Sequence, residues 1–114
     1  MTRENGAMAT LVRGTRDEYV DRIKAALDEY ESAHPRAVAT LYRVEPAIVR
    51  VRVVDDAFAG VSAGDRHDRV WNFLSARLDE DTLQEIAILL LLTPAEQPRS
   101  FMNTEFDDPV ASAL

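Results

Sequence analysis

The sequence predicts an α+β fold, a small three-stranded sheet with helices on one face, in the order helix, strand, strand, helix, strand. Three observations carry that expectation. Two stretches repeat apolar residues with helical spacing, Val20, Ile23, Leu27 and Tyr30 in the first and Val70, Trp71, Leu74 and Leu78 in the second. Between them lie two β-branched segments, Ala37 to Val44 and Ala47 to Val54, separated by Glu45-Pro46. An unbroken apolar run, Ile86 to Leu92, follows the second helical stripe.

Residues 1–15 have no sustained period and contain Gly6 and Gly14, so they read as a flexible leader with a short contact through Leu11 and Val12. Thr15 and Glu18 have the spacing of a capping box that starts the first helix. Asp17 and Glu18 fall in its first turn, where the helix dipole favours anions, and Pro35 stops it. In the second β segment Val49, Val51 and Val53 alternate with Ile48, Arg50 and Arg52, so one face looks inward and one outward. The first segment alternates less cleanly, which leaves its register open.

Asp55 to Gly64 reads as a loop anchored by Phe58, and Ser62 followed by Asp65 has cap-like spacing ahead of a helix over Asp65 to Leu78. Asp79-Glu80-Asp81 interrupts that stripe, and Pro94 closes the apolar stretch from Leu83 to Thr93. Seven apolar residues suit a strand and their leucine content permits a helix; the neighbouring hairpin favours a third strand. Residues 97–114 read as a tail with Phe101, Met102 and Phe106 as anchors, so the organisation is a leader over 1–15, a domain over 16–96 and a tail over 97–114.

The chain has 114 residues and a net charge of −7, from 13 basic and 20 acidic side chains, a length that suits one domain. Its 46% hydrophobic and 29% charged fractions are those of a globule, not of a disordered chain. With no cysteine, a disulfide framework, a thiolate metal site and a cysteine nucleophile are excluded. The longest apolar run falls far short of the roughly 20 residues a membrane-spanning helix requires. No signal peptide is visible, so a cytoplasmic location is expected. The acidic balance argues against general binding to phosphate backbones.

Candidates for chemistry are few. His34, ahead of Pro35, suits the end of a helix, and His67 in Asp-Arg-His-Asp-Arg reads as a loop-fixing or interface residue. Gly60-Val-Ser62-Ala-Gly64 matches a G-x-S-x-G string, yet the chain is too short for the sheet that such a nucleophile needs. It also lacks the lysine of a phosphate-binding loop. The acidic pairs lack the calcium-loop pattern, and two distant histidines make a poor zinc site. Arg43, Arg50 and Arg52 on the outer face of the hairpin, joined by Arg66 and Arg69, would form an anion or nucleic-acid patch. The competing reading is a solvated sheet face paired with the abundant acids. In a two-layer fold the second face of the run holding Ile86, Ile88, Leu90 and Leu92 needs cover by a second subunit, a partner or the Phe101–Phe106 tail.

Phe58-Ala-Gly60-Val-Ser62, then Arg66-His67-Asp-Arg-Val70 and Leu74, then Thr93-Pro94-Ala-Glu96, resemble the BolA family in order and spacing. That family reads F-x-G-x-S, R-H-x-x-V, a helix, and a strand ending in T-P-x-E. Val51-Arg-Val53-Val54 fits its second strand, and the likeness covers residues 17 to 96. The resemblance implies a fold similar to class II KH domains. It also implies a non-enzymatic protein that partners a monothiol glutaredoxin and shares a [2Fe–2S] cluster with it. The family's cluster-ligand histidine falls on Glu85, and the loop at Glu45-Pro46 offers no second histidine or cysteine. Carboxylates are unusual cluster ligands, so no cofactor held by this chain is expected.

The leading expectation is a divergent interaction module that contacts a glutaredoxin or another protein without ligating a cluster, or that forms a homo-oligomer. The alternative is a KH-like nucleic-acid-binding or regulatory protein using Arg50, Arg52, Arg66 and Arg69. Against it, Gly60 and Gly64 enclose a neutral segment, unlike a basic G-x-x-G loop. A weaker alternative is a small hydrolase using Ser62 and His67.

Overall fold

A computed structural model describes residues 9–13, 17–44 and 48–99. Its elements are β1 (Thr10–Arg13), α1 (Glu18–Ala33), β2 (Val38–Val44), β3 (Ile48–Val54), α2 (Ala63–Ser75), α3 (Glu80–Glu85) and β4 (Ile86–Leu92), with short 3-10 turns at Asp56–Phe58 and Gln97–Arg99. The architecture is α+β, as the apolar patterns predict. The sheet runs β1-β2-β3-β4, with β2 antiparallel to β3 and both edge strands parallel to their neighbours.

Register explains which side chains meet the helices. Opposing β2–β3 pairs place Ala39, Leu41 and Arg43 on the same face as Val53, Val51 and Val49. Leu89 and Leu91 of β4 continue that face beside Val51 and Val53. Against it pack Val20, Ile23 and Leu27 of α1, Val70 and Leu74 of α2, and Phe58 from the turn after β3. Each such side chain contributes about 1.5–3 kcal/mol when fully buried. Buried Glu31 of α1 accepts the Ala39 N–H at 2.7 Å, tying the first helix to β2.

Four differences from the sequence reading have physical causes. Thr10–Arg13, read as part of the leader, adds a fourth strand, because its backbone completes β2 and Ala9 N–H bonds to the Asp28 carboxylate of α1. The cap of α1 is Asp17, whose carboxylate accepts Val20 N–H at 3.0 Å, and Thr15 lies outside the described residues. Asp79-Glu80-Asp81 does not merely interrupt a stripe. It opens the short helix α3, which runs straight into β4. Arg43 points inward, opposite Val49, and not to the outer face of the hairpin. The remaining leader residues and the tail beyond Arg99 lie outside the described residues.

Candidate functional site

Several of the residues quoted for the BolA resemblance converge on one clasp between α2 and the end of β4. Asp55 caps the turn that buries Phe58 by accepting Ala57 N–H at 2.9 Å. Gly60 then takes φ 77°, a left-handed conformation that favours glycine, and the chain reaches Ser62. Ser62 caps α2, its hydroxyl accepting Asp65 N–H at 3.2 Å. One turn into the helix, Arg66 donates from Nε to the Val61 carbonyl at 2.9 Å and from Nη1 to the Leu91 carbonyl at 3.0 Å. It also holds both Glu96 carboxylate oxygens, at 2.7 and 3.1 Å. Glu96 is fixed in turn by Thr93, whose N–H it accepts at 3.0 Å and whose hydroxyl accepts Glu96 N–H at 3.2 Å. The Arg66 guanidinium carbon sits 5.7 Å from the centre of the Phe58 ring.

The hydrogen bonds from Arg66 hold the Glu96 carboxyl down at about 2, and Glu96 holds Arg66 above its ordinary value. Asp55 N–H bonds to the Leu92 carbonyl at 2.9 Å, so that carbonyl faces β3. Carbonyls alternate along a strand, so the Leu91 carbonyl faces the open edge of β4, where Arg66 covers it. Phe58, Ser62, Arg66, Thr93 and Glu96 are thus joined physically, with Val70 buried in the core beneath them.

Ser62 and His67 are not brought together. The serine is a helix cap, and the exposed His67 ring stacks on Trp71, 5.8 Å between centres and 14° between planes. No hydrogen bond links the two among the described residues, whereas an activated serine needs its base within hydrogen-bond reach. His34 stacks on Tyr30 at 4.0 Å, with Nδ1 2.9 Å from the Tyr30 carbonyl. Tyr30 is itself buried, and burial together with the Asp55 charge pushes its hydroxyl up to about 12. Beside them a cleft of about 450 Å3 is lined by His34, Pro35, Arg36, Asp55 and Asp56, with Arg36 paired to Asp56 at 3.2 Å.

The expected arginine patch is divided between two layers. Arg50 and Arg52 project from the outer face of the sheet, where Arg50 donates to the Tyr42 hydroxyl at 2.9 Å and Arg52 to the Thr40 hydroxyl at 3.3 Å. Arg66 and Arg69 belong to α2 on the opposite side, Arg69 reaching the Ala57 carbonyl at 3.5 Å. The fifth member, Arg43, lies between Asp17 at 2.9 Å and Glu85 at 3.1 Å, 5% of its side chain exposed. Sequence reasoning missed this trio because the weak alternation of the first β segment concealed which face Arg43 takes.

Glu85, at the family's cluster-ligand position, is therefore the partner of a guanidinium. A carboxylate committed in this way does not fit an iron–sulfur cluster, and the loop at 45–47 lies outside the described residues. Of the apolar run, Ile88, Leu90 and Leu92 share the outer face with Arg50, Arg52 and Val54. Ile86 departs from them, because a register shift beside Val49 turns it toward the core. Among the described residues no helix is long and apolar enough to cross a membrane.

No family model, curated protein or solved structure matches this chain significantly.

Proposed function

We propose that this chain is a BolA-like, non-catalytic interaction module that contacts a monothiol glutaredoxin or another protein without ligating a cluster itself. The observation that carries the reading is the clasp: Arg66 joins Val61, Leu91 and Glu96, so Phe58, Ser62, Arg66, Thr93 and Glu96 of the resemblance meet at one junction. Those residues maintain a shape, as a docking module requires. The groups a hydrolase would recruit are occupied otherwise, Ser62 as a cap and His67 against Trp71. Pairing of Glu85 with Arg43 supports contact without ligation.

The test mixes the purified chain with a cluster-loaded monothiol glutaredoxin and follows size by light scattering and the cluster by visible absorption and circular dichroism. The expected result is a heterodimer with an unchanged cluster spectrum. A changed spectrum would overturn the absence of ligation, and no complex would overturn the glutaredoxin partnership.

A further inference from the structure

The end of α1 and the turn after β3 enclose a cleft with unsatisfied acceptors at its floor. Pro35 stops the helix and leaves His34 as its cap, while the chain leaving β3 bends at Asp55 into the 3-10 turn over Asp56–Phe58. The space between them, about 450 Å3, is of the size that takes a small molecule. Ala33, Pro35 and Ala57 give it apolar walls. Arg36 and Asp56, both exposed, pair with each other at its rim. Asp55 also lines it and is only 2% exposed, which puts its carboxylate at the floor.

Two buried oxygens lack a partner there. Asp55 commits Oδ1 to the Ala57 N–H at 2.9 Å, and its Oδ2 bonds to nothing among the described residues. The same holds for the hydroxyl of Tyr30, which burial, and then the nearby Asp55 charge, push up to about 12. Buried acceptors are rarely left unbonded, because each has lost its water. His34 adds a third acceptor. Its ring stacks on Tyr30 with Nδ1 2.9 Å from the Tyr30 carbonyl. A carbonyl only accepts, so Nδ1 carries the proton and Nε2 of the neutral ring is left to accept. The guanidiniums nearby are committed elsewhere, Arg36 to Asp56 and Arg69 to the Ala57 carbonyl at 3.5 Å.

We propose that this cleft binds a small organic cation, a primary ammonium on a short apolar body. An ammonium brings three donors and one positive charge, which match Asp55 Oδ2, the Tyr30 hydroxyl, His34 Nε2 and the Asp55 carboxylate charge. Its apolar body rests against Ala33 and Pro35. A metal ion suits the place less well, since among the described residues no three His, Asp or Glu side chains are grouped to hold one. Water supplies two donors but no charge. The inference is independent of any glutaredoxin partner.

The test titrates the whole, isotope-labelled chain with n-butylammonium chloride, and with n-butanol as the uncharged counterpart, and follows the amide signals. The expected result is saturable shifts at His34, Asp55 and Ala57 with the ammonium and not with the alcohol. Asp55→Asn keeps the shape and removes the charge, and should weaken binding of the ammonium by about tenfold. Tyr30→Phe leaves the core filled and should weaken it about threefold, which keeps the test decisive if the Asp55 variant does not fold. Shifts that do not saturate would overturn the inference and leave the two oxygens to water. Saturation at other residues, equal binding of n-butanol, or an unchanged affinity in the folded variants would overturn it as well.

Discussion

A guanidinium bonded to two backbone carbonyls and a carboxylate holds three segments at once, as Arg66 does with Val61, Leu91 and Glu96. Lysine keeps the charge but not the planar fork, so Arg66→Lys should cost about 2 kcal/mol in urea unfolding. The acid limb of stability follows from the same pair. The folded Glu96 carboxyl titrates at about 2 against an ordinary 4.5, so its contribution is complete above 4.5 and disappears as pH falls toward 2. Glu96→Gln should therefore flatten that part of the dependence of melting temperature on pH. Ser62→Ala should cost about 1 kcal/mol and Ser62→Asp should restore it, as capping requires and nucleophilic chemistry would not allow. Tyr30 runs the other way. Its buried hydroxyl has no hydrogen-bond partner among the described residues, so Tyr30→Phe should leave urea stability unchanged or raise it by up to about 1 kcal/mol.

Elements with a strong period were legible in the sequence, and elements made by tertiary contact were not. The Val20–Tyr30 stripe and the alternation of Val49, Val51 and Val53 define α1 and the inner face of β3, because each buries one regular face. By contrast, β1 has four residues and exists through pairing with β2, which no local pattern announces. The short helix α3 begins with Asp79 as cap and acidic residues in its first turn, and that composition also suits a solvated loop. For the candidate site, the clasp residues were readable as a motif, but their mutual bonds depend on how α2 meets β4. The trio of Arg43, Asp17 and Glu85 links β2, the start of α1 and the end of α3. Removing the cation leaves two carboxylates facing each other, so Arg43→Met should cost about 3 kcal/mol in urea unfolding. Adding Glu85→Leu should recover part of that loss, because apolar replacement of a whole buried pair is nearly neutral.

At the scale of the molecule, β4 is an uncharged seven-residue strand at an edge of the sheet, the kind of edge that recruits another strand. Two features oppose this. Arg66 occupies the Leu91 carbonyl on the open edge, and a net charge of −7 repels a second copy. The second feature is conditional, since protonation removes it as the pH approaches the isoelectric point near 4.7. Glu96 keeps its charge through this range, so the Arg66 clasp stays closed and only the repulsion is lost. The chain should therefore remain monomeric at neutral pH and low salt, and light scattering should show association as the pH falls toward 4.7. Ala87 is exposed and lies on β4 ahead of the part that Arg66 guards, so Ala87→Lys should shift that onset to lower pH. An onset unmoved by Ala87→Lys would assign the association to a surface other than this edge.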